Sequence, residues 1–217
     1  MFMFLGLLNS PVARFNRRNT LVSTIPKLST SYTVRFEFNP TSFQSGWTNI
    51  IHLTSTGGNC CKYGDRVPGV WFWSSSTNAQ KNRFHICSAV NGNGNFCYNS
   101  AVSVPRGQWT TVEITQRPEG AYYRYEVRVG NVLIGSVINK QAKVFTNVKA
   151  YASDNWYNAA QGMIRNLVID ANAGGECLLL FIPKFSIKYS LLAGVYWLTH
   201  LLRTSIFNHF EASSLRQ

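Results

Sequence analysis

The chain has 217 residues, of which 45% are hydrophobic and 14% charged, a composition that excludes a disordered chain and suits one globular domain. Its 21 Lys and Arg against 9 Asp and Glu give a formal net charge of +12. Thirteen basic and seven acidic residues fall within 30–171, so the surplus there is mild. Two explanations stay open: attraction of polyanions, or a solvated basic surface without a specific partner.

The first predicted segment, 1–19, begins with the apolar run MFMFLGLL and then reaches small residues. That order resembles the apolar region and cleavage site of a secretory signal, but the basic start of such a signal is missing. We therefore expect either an N-terminal leader or the end of a fragment.

The middle of the chain, 20–171, alternates between apolar and polar residues with a period of two. In YTVRFEF at 32–38, Val34 and Phe36 alternate with polar residues, and Tyr125 and Val127 do so in YYRYEVRV at 122–129. This pattern is typical of antiparallel strands with one buried face. Eleven strands are predicted, at 20–25, 32–38, 47–54, 68–74, 82–89, 95–100, 109–116, 122–129, 131–138, 144–151 and 163–170.

Turn-forming sequences separate many of these strands. They include NGNGN at 91–95, PRGQ at 105–108 and RPEGA at 117–121. Helical periodicity is absent before residue 172. Short strands at such spacing predict an all-β, two-sheet antiparallel sandwich.

The last segment, 172–217, is apolar and helix-prone but is broken by Pro183, Lys184, Lys188 and His200. Its uninterrupted apolar stretch is shorter than the ~20 residues that a spanning helix needs. We expect a loosely attached tail that either lies on a membrane surface or is a non-native extension.

Four of the five cysteines lie close together in the sequence. The absence of C-x-x-C pairs and of histidines at zinc spacing argues against a zinc site, so two disulfides in an oxidising compartment are predicted. Adjacent cysteines are expected to reach different partners rather than each other. The disulfide candidates are Cys60, Cys61, Cys87 and Cys97. The fifth cysteine, Cys177, has no predicted disulfide partner.

The sequence does not favour catalysis or nucleic-acid binding. The seven acids of the middle region are scattered singly, whereas a sandwich glycosidase needs two cooperating carboxylates. His52 and His85 have no obvious partners in the sequence and are expected to be half-buried rings. Arg124 and Arg128 alternate with aromatic residues on opposite faces of one strand, which argues against a surface that stacks bases. The protein is therefore predicted not to be an enzyme and not to bind nucleic acid.

The stretch YASDNWYNAAQG at 151–162 concentrates an acid, amides and aromatic rings before the last strand. Amide and carboxylate groups can hydrogen-bond sugar hydroxyls, and aromatic faces can stack on a pyranose ring. The alternative is structural, with the rings closing the end of the core and the acid capping a turn. One carboxylate among amides offers at most a weak calcium site, so no cofactor is predicted. The candidate ligand-binding residues are Asp154, Asn155, Trp156, Tyr157 and Asn158.

A second candidate is the loop GGNCCKYGD at 57–65, followed by Trp71 and Trp73. Either these two indoles are exposed beside the loop, or the loop is stapled by a disulfide over buried indoles.

Several segments, taken in chain order, resemble a concanavalin A-like jelly roll of the laminin G-like, non-catalytic type. They are 21–40, GWTNIIHLT at 46–54, VPGVWFW at 67–73, QWTTVEIT at 108–115 and GMIRNLVI at 162–169. The resemblance implies extracellular adhesion or recognition of glycans, often with calcium at a rim. This sequence lacks an acid pair for calcium and the carboxylates of the related glucanases.

Together these features predict a secreted, lectin-like module that binds a glycan or an acidic extracellular ligand. The alternatives are a matrix or adhesion component that binds protein and a degenerate relative of glycoside hydrolases.

Overall fold

A computed structural model describes residues 13–15, 17–74, 82–101 and 103–171, all within one compact unit. The predicted tail at 172–217, Cys177 and most of the predicted leader lie outside these residues. The part of the chain that is described contains strands, turns and loops, and no helix. None of its elements meets the requirements of a membrane-crossing helix.

Thirteen strands form the described fold. In chain order they are β1 (Ala13–Phe15), β2 (Leu21–Leu28), β3 (Tyr32–Pro40), β4 (Gly46–Thr54), β5 (Gly69–Ser74), β6 (Arg83–Val90), β7 (Asn93–Asn99), β8 (Thr110–Glu119), β9 (Tyr122–Val129), β10 (Val132–Asn139), β11 (Phe145–Tyr151), β12 (Asn158–Ala159) and β13 (Gly162–Asp170). All eleven predicted strands are present. The two additions, β1 and β12, are too short to leave a period in the sequence.

The strands form two sheets. The first has the order β1-β13-β3-β8-β9-β10, and the second has the order β2-β11-β4-β5-β6-β7, with β12 added beside β4. Neighbours within each sheet are antiparallel, whereas β12 lies parallel to β4. β1 comes from the segment predicted as a leader and pairs with β13.

The inner faces of the two sheets meet in one apolar core. Val34, Phe36, Tyr125 and Val127 are fully buried, as the alternation predicts. The second sheet contributes Val70, Phe72, Phe84 and Ile86 from alternate positions of β5 and β6. Because successive side chains of a strand point to opposite faces, this register turns Trp71 and His85 to the outer face. The two-sheet antiparallel sandwich is therefore confirmed.

The charged residues of the first sheet lie mainly on its outer face, where they pair with one another. Arg165 contacts Glu37 at 2.7 Å, and Arg35 contacts Glu113 at 3.5 Å. Arg124 also pairs with Glu119. Much of the positive charge of this face is therefore offset locally, and the face does not form a uniform surface for anions.

Candidate functional site

The outer face of the second sheet carries a connected group of rings. Ring centroids are 4.5 Å apart for Trp47 and Trp73, 4.7 Å for Trp47 and His85, and 6.4 Å for Trp71 and His85. The loop 152–160 adds two more rings, with Trp156 at 5.2 Å from His52 and Tyr157 at 6.0 Å from Trp71. We call this group the aromatic layer; it comprises Trp47, His52, Trp71, Trp73, His85, Trp156 and Tyr157.

The aromatic layer has a buried floor and a partly exposed surface. Trp71 is only 1% exposed. The Arg66 guanidinium lies 4.4 Å from the centre of its ring, and Gly69 packs against its six-membered ring. A Cβ at Gly69 would collide with the indole. Of the two alternatives that the sequence left open for Trp71, the buried indole is therefore the one observed. Trp47 is 36% exposed, and Trp73 is half-buried.

Asp154 is fully buried and holds the turn of the loop 152–160. Its Oδ1 accepts hydrogen bonds from the backbone N–H groups of Trp156 at 3.1 Å and Tyr157 at 2.9 Å. Its Oδ2 lies 2.9 Å from His52 Nδ1, and both side chains are 0% exposed. Neither oxygen is accessible to a ligand or to calcium. Asp154 therefore has the structural role that the sequence left open, in which the acid caps a turn. It can affect binding only by positioning its neighbours.

His52 has two acceptors facing its two ring nitrogens. Nε2 lies 2.7 Å from the backbone oxygen of Asp65, opposite the contact between Nδ1 and Asp154. A carbonyl oxygen only accepts hydrogen bonds, so Nε2 donates to Asp65. Nδ1 and Asp154 form a second, fully buried hydrogen bond. The expectation of a half-buried His52 without a partner is wrong, since the partner is 102 residues away.

The loop is also fixed to β4 through Asn49. The Oδ1 atom of Asn49 accepts a hydrogen bond from the Asp154 N–H at 2.8 Å, and its backbone oxygen accepts one from Ala160 at 2.9 Å. Ser153, which directly precedes the first of these anchors, has a φ of 72°, a left-handed conformation that few non-glycine residues adopt. A loop held at several points presents its side chains with little entropy left to lose on binding.

Most of the predicted ligand-binding residues remain accessible. Asn155 and Asn158 are exposed, and Trp156 and Tyr157 are half-buried. Arg18 donates a hydrogen bond to the backbone oxygen of Asn155 at 2.7 Å, which leaves the Asn155 side chain available. Four of the five predicted residues are therefore accessible, and two of them, Trp156 and Tyr157, contact rings of the second sheet.

The two loops that the sequence marks as separate candidates meet at the aromatic layer. Asn59 Nδ2 donates a hydrogen bond to the Tyr157 hydroxyl at 3.1 Å. Arg66, which sequence analysis missed, donates from Nε to the backbone oxygen of Asn59 at 2.9 Å. Burial lowers the pKa of Arg66, and Tyr157 and Asp154 partly oppose that shift. A guanidinium that is 7% exposed therefore ties the 57–65 loop to the aromatic layer.

Two disulfides are present among the four clustered cysteines, as predicted. Cys60 is bonded to Cys61, and Cys87 to Cys97. The expectation that the adjacent cysteines reach different partners is wrong. Cys87 and Cys97 lie directly opposite each other on β6 and β7, so their pairing leaves Cys60 and Cys61 to bond with each other in an exposed part of the loop.

Comparison with known proteins supports the fold. No family model and no curated protein matches the chain. A heptameric SAP-like pentraxin from Limulus polyphemus aligns over 78% of both chains, with 14% identity and a TM-score of 0.51. The shared architecture is a jelly-roll sandwich. The laminin G-like subtype stays a prediction.

Two other solved structures match this chain with lower TM-scores. Domain 4 of an extracellular arabinanase from Geobacillus stearothermophilus, in complex with arabinotriose, gives 16% identity over 73% of this chain and 74% of that one, with a TM-score of 0.42. An alginate lyase gives 12% identity over 71% and 67%, with a TM-score of 0.38.

Proposed function

We propose that this chain is a secreted, lectin-like module that binds carbohydrate without catalysing a reaction. The observation that supports the proposal is that the aromatic layer, which includes the partly exposed Trp47, is in contact with a fixed loop that carries exposed amides. Sugar-binding sites need an aromatic face for the apolar side of a pyranose ring and nearby polar groups for its hydroxyls. The outer face of the second sheet supplies both.

The polar groups at this surface suit neutral hydroxyls. Asn155 and Asn158 are exposed, and each side-chain amide can both donate and accept. The Tyr157 hydroxyl accepts from Asn59 and retains its own proton for donation. A hydroxyl ligand, which is also both donor and acceptor, matches these groups more closely than a purely anionic one.

The groups that could perform chemistry near the aromatic layer are engaged in the fold. Both nitrogens of His52 and both oxygens of Asp154 are used. Asp65 is 2% exposed and accepts from the backbone of Lys62 at 2.8 Å and from Thr56. Because a general base needs a free acceptor within reach of the substrate, these contacts support a non-catalytic function.

The disulfides support an extracellular location. Cys60–Cys61 and Cys87–Cys97 are bonds that persist in oxidising compartments and are rare where glutathione keeps thiols reduced.

A glycan array with variant proteins tests the proposal. Trp156→Ala and Trp47→Ala should each lower binding about two- to twelvefold, since loss of one stacked ring costs on the order of 0.5–1.5 kcal/mol. Tyr122→Ala is the matched control, because Tyr122 is 45% exposed but lies on the first sheet. Circular dichroism should show that all three variants stay folded.

Four outcomes would contradict the proposal. Binding that vanishes uniformly with added salt would indicate a non-specific polyanion effect. Equal loss in the Tyr122→Ala variant would place the site elsewhere. Turnover of a bound glycan would show an enzyme, and binding of a protein partner with no glycan response would favour the adhesion alternative.

A further inference from the structure

An imidazole lies beside the disulfide between β6 and β7. His85 Nε2 is 3.0 Å from Cys87 Sγ, because these residues are two apart on the same face of β6, and Cys97 lies opposite Cys87. One nitrogen and two sulfurs therefore lie within 4.8 Å of one another. The sequence-based argument against a zinc site considers spacing along the chain and misses this set, which is assembled across two strands.

A second contact orients the imidazole toward the sulfurs. His85 Nδ1 lies 2.8 Å from Asn99 Oδ1. An amide oxygen only accepts hydrogen bonds, so Nδ1 carries the proton and the lone pair of Nε2 faces the cysteines. Histidines that bind metals are held in the same way, with the other ring nitrogen donating to an oxygen.

The three donors differ in their access to solvent. Cys87 is fully buried, whereas His85 and Cys97 are half-buried. A cation would therefore reach the donors from the side of His85 and Cys97.

We propose that reduction of the Cys87–Cys97 disulfide converts these three residues into a binding site for a thiophilic divalent cation, with Zn²⁺ as the best match. In the first step a dithiol gives two electrons to the S–S bond, becomes a cyclic disulfide, and leaves two cysteine thiols. In the second step Zn²⁺ displaces the two thiol protons. Two thiolates and His85 Nε2 then bind the ion, and a solvent molecule takes the fourth position.

The charge of Arg66 assists the second step. Asn95 Oδ1 accepts a hydrogen bond from Arg66 and lies 3.3 Å from Cys97 Sγ. A nearby guanidinium favours the thiolate over the thiol, and the thiolate is the form that binds metal. Two thiolates also compensate the charge of Zn²⁺, so the loaded site adds no net charge beside Arg66.

Metal uptake by the full chain tests this proposal. The background variant is Cys177→Ser, which removes the remaining cysteine. Protein reduced with a dithiol and then desalted without oxygen should bind one Zn²⁺ per chain in equilibrium dialysis, and the oxidised protein should bind none at this site. With Co²⁺ as the probe, the reduced protein should show thiolate-to-cobalt charge-transfer absorption. Trp47, whose ring is 4.7 Å from His85, should report loading by a change in fluorescence.

Variants separate a ligand from a structural residue. His85→Gln should weaken Zn²⁺ binding at least tenfold, and Asn99→Ala about tenfold, since loss of a residue that orients a ligand typically costs 10–100-fold. Cys60→Ser with Cys61→Ser is the matched control and should leave uptake unchanged.

The proposal is overturned by equal uptake in the oxidised protein, by unchanged affinity in His85→Gln, or by loss of uptake in the Cys60/Cys61 control. Loss of the β-sheet circular dichroism signal on reduction would also overturn it, because the site requires β6 and β7 to stay paired.

Discussion

Replacing Asp154 should separate a structural carboxylate from a ligand-binding one. In Asp154→Ala, His52 loses its hydrogen-bond partner, and the N–H groups of Trp156 and Tyr157 lose their acceptor. Both members of the pair are 0% exposed, so little water can replace the lost contacts.

The size of the effect follows from this burial. Leaving a buried polar group without its hydrogen-bond partner costs about 1–3 kcal/mol. Asp154→Ala leaves three such groups, so we expect a loss of at least about 3 kcal/mol, which for a domain of this size lowers the melting temperature by at least about 6 °C. Asp154→Asn should be milder, at about 1 kcal/mol. The amide oxygen can still accept from the loop, and a neutral His52 can accept from the amide nitrogen while donating to Asp65. Asn155→Ala is the matched control and should stay within about 0.5 kcal/mol of the parent protein.

Urea denaturation monitored by tryptophan fluorescence and circular dichroism gives the three free energies of unfolding. A double-mutant cycle with His52→Ala adds the coupling: the double variant should be clearly less destabilised than the sum of the single variants. A cost for Asp154→Ala no larger than that for Asn155→Ala, or strict additivity in the cycle, would refute the stabilising role of the buried His52–Asp154 contact.

Three further predictions concern acid, packing and redox state. Burial lowers the pKa of His85, so the unfolded state binds more protons than the folded state as the pH falls below about 6.5. The free energy of unfolding should therefore decrease in that range, and it should decrease less in His85→Gln. Equal pH dependence of the unfolding free energy in the two proteins would contradict this. Gly94→Ala should cost about 1–3 kcal/mol, because its Cβ would press on the backbone of Lys62; a neutral result by calorimetry would show that the loop yields. Reductant should lower the melting temperature through Cys87–Cys97, whose closure over a sequence separation of 10 is worth about 2–3 kcal/mol, and an unchanged temperature would argue against that bond.

The success of the strand predictions has a local cause. Tyr32, Val34 and Phe36 alternate with exposed or half-exposed residues because a strand turns successive side chains to opposite faces. That rule needs only neighbouring residues, so it can be applied to the sequence. The tight turns are equally local: Asn91 and Gly92 both adopt positive φ, as the turn between β6 and β7 requires.

The candidate site was predictable only in part. Amides and aromatic rings in 151–162 indicated a binding loop, and Asn155, Trp156 and Asn158 do reach the surface. The partners that fix the loop were not predictable, because His52 and Asp154 are 102 residues apart. Arg66 carried no recognisable motif either. Its part in the site depends on the loop folding back over Trp71.

The sequence by itself determined where the chain forms strands and that two apolar faces must be buried against each other, since both follow from short-range periodicity. Only the tertiary structure decided which outward-facing rings become neighbours, that Asp154 is turned inward, and that Cys87 pairs with Cys97 across two strands. The physical reason is that sheet order and register set these distances, and the hydrogen bonds and ring contacts that follow depend on distance in space rather than on separation along the chain.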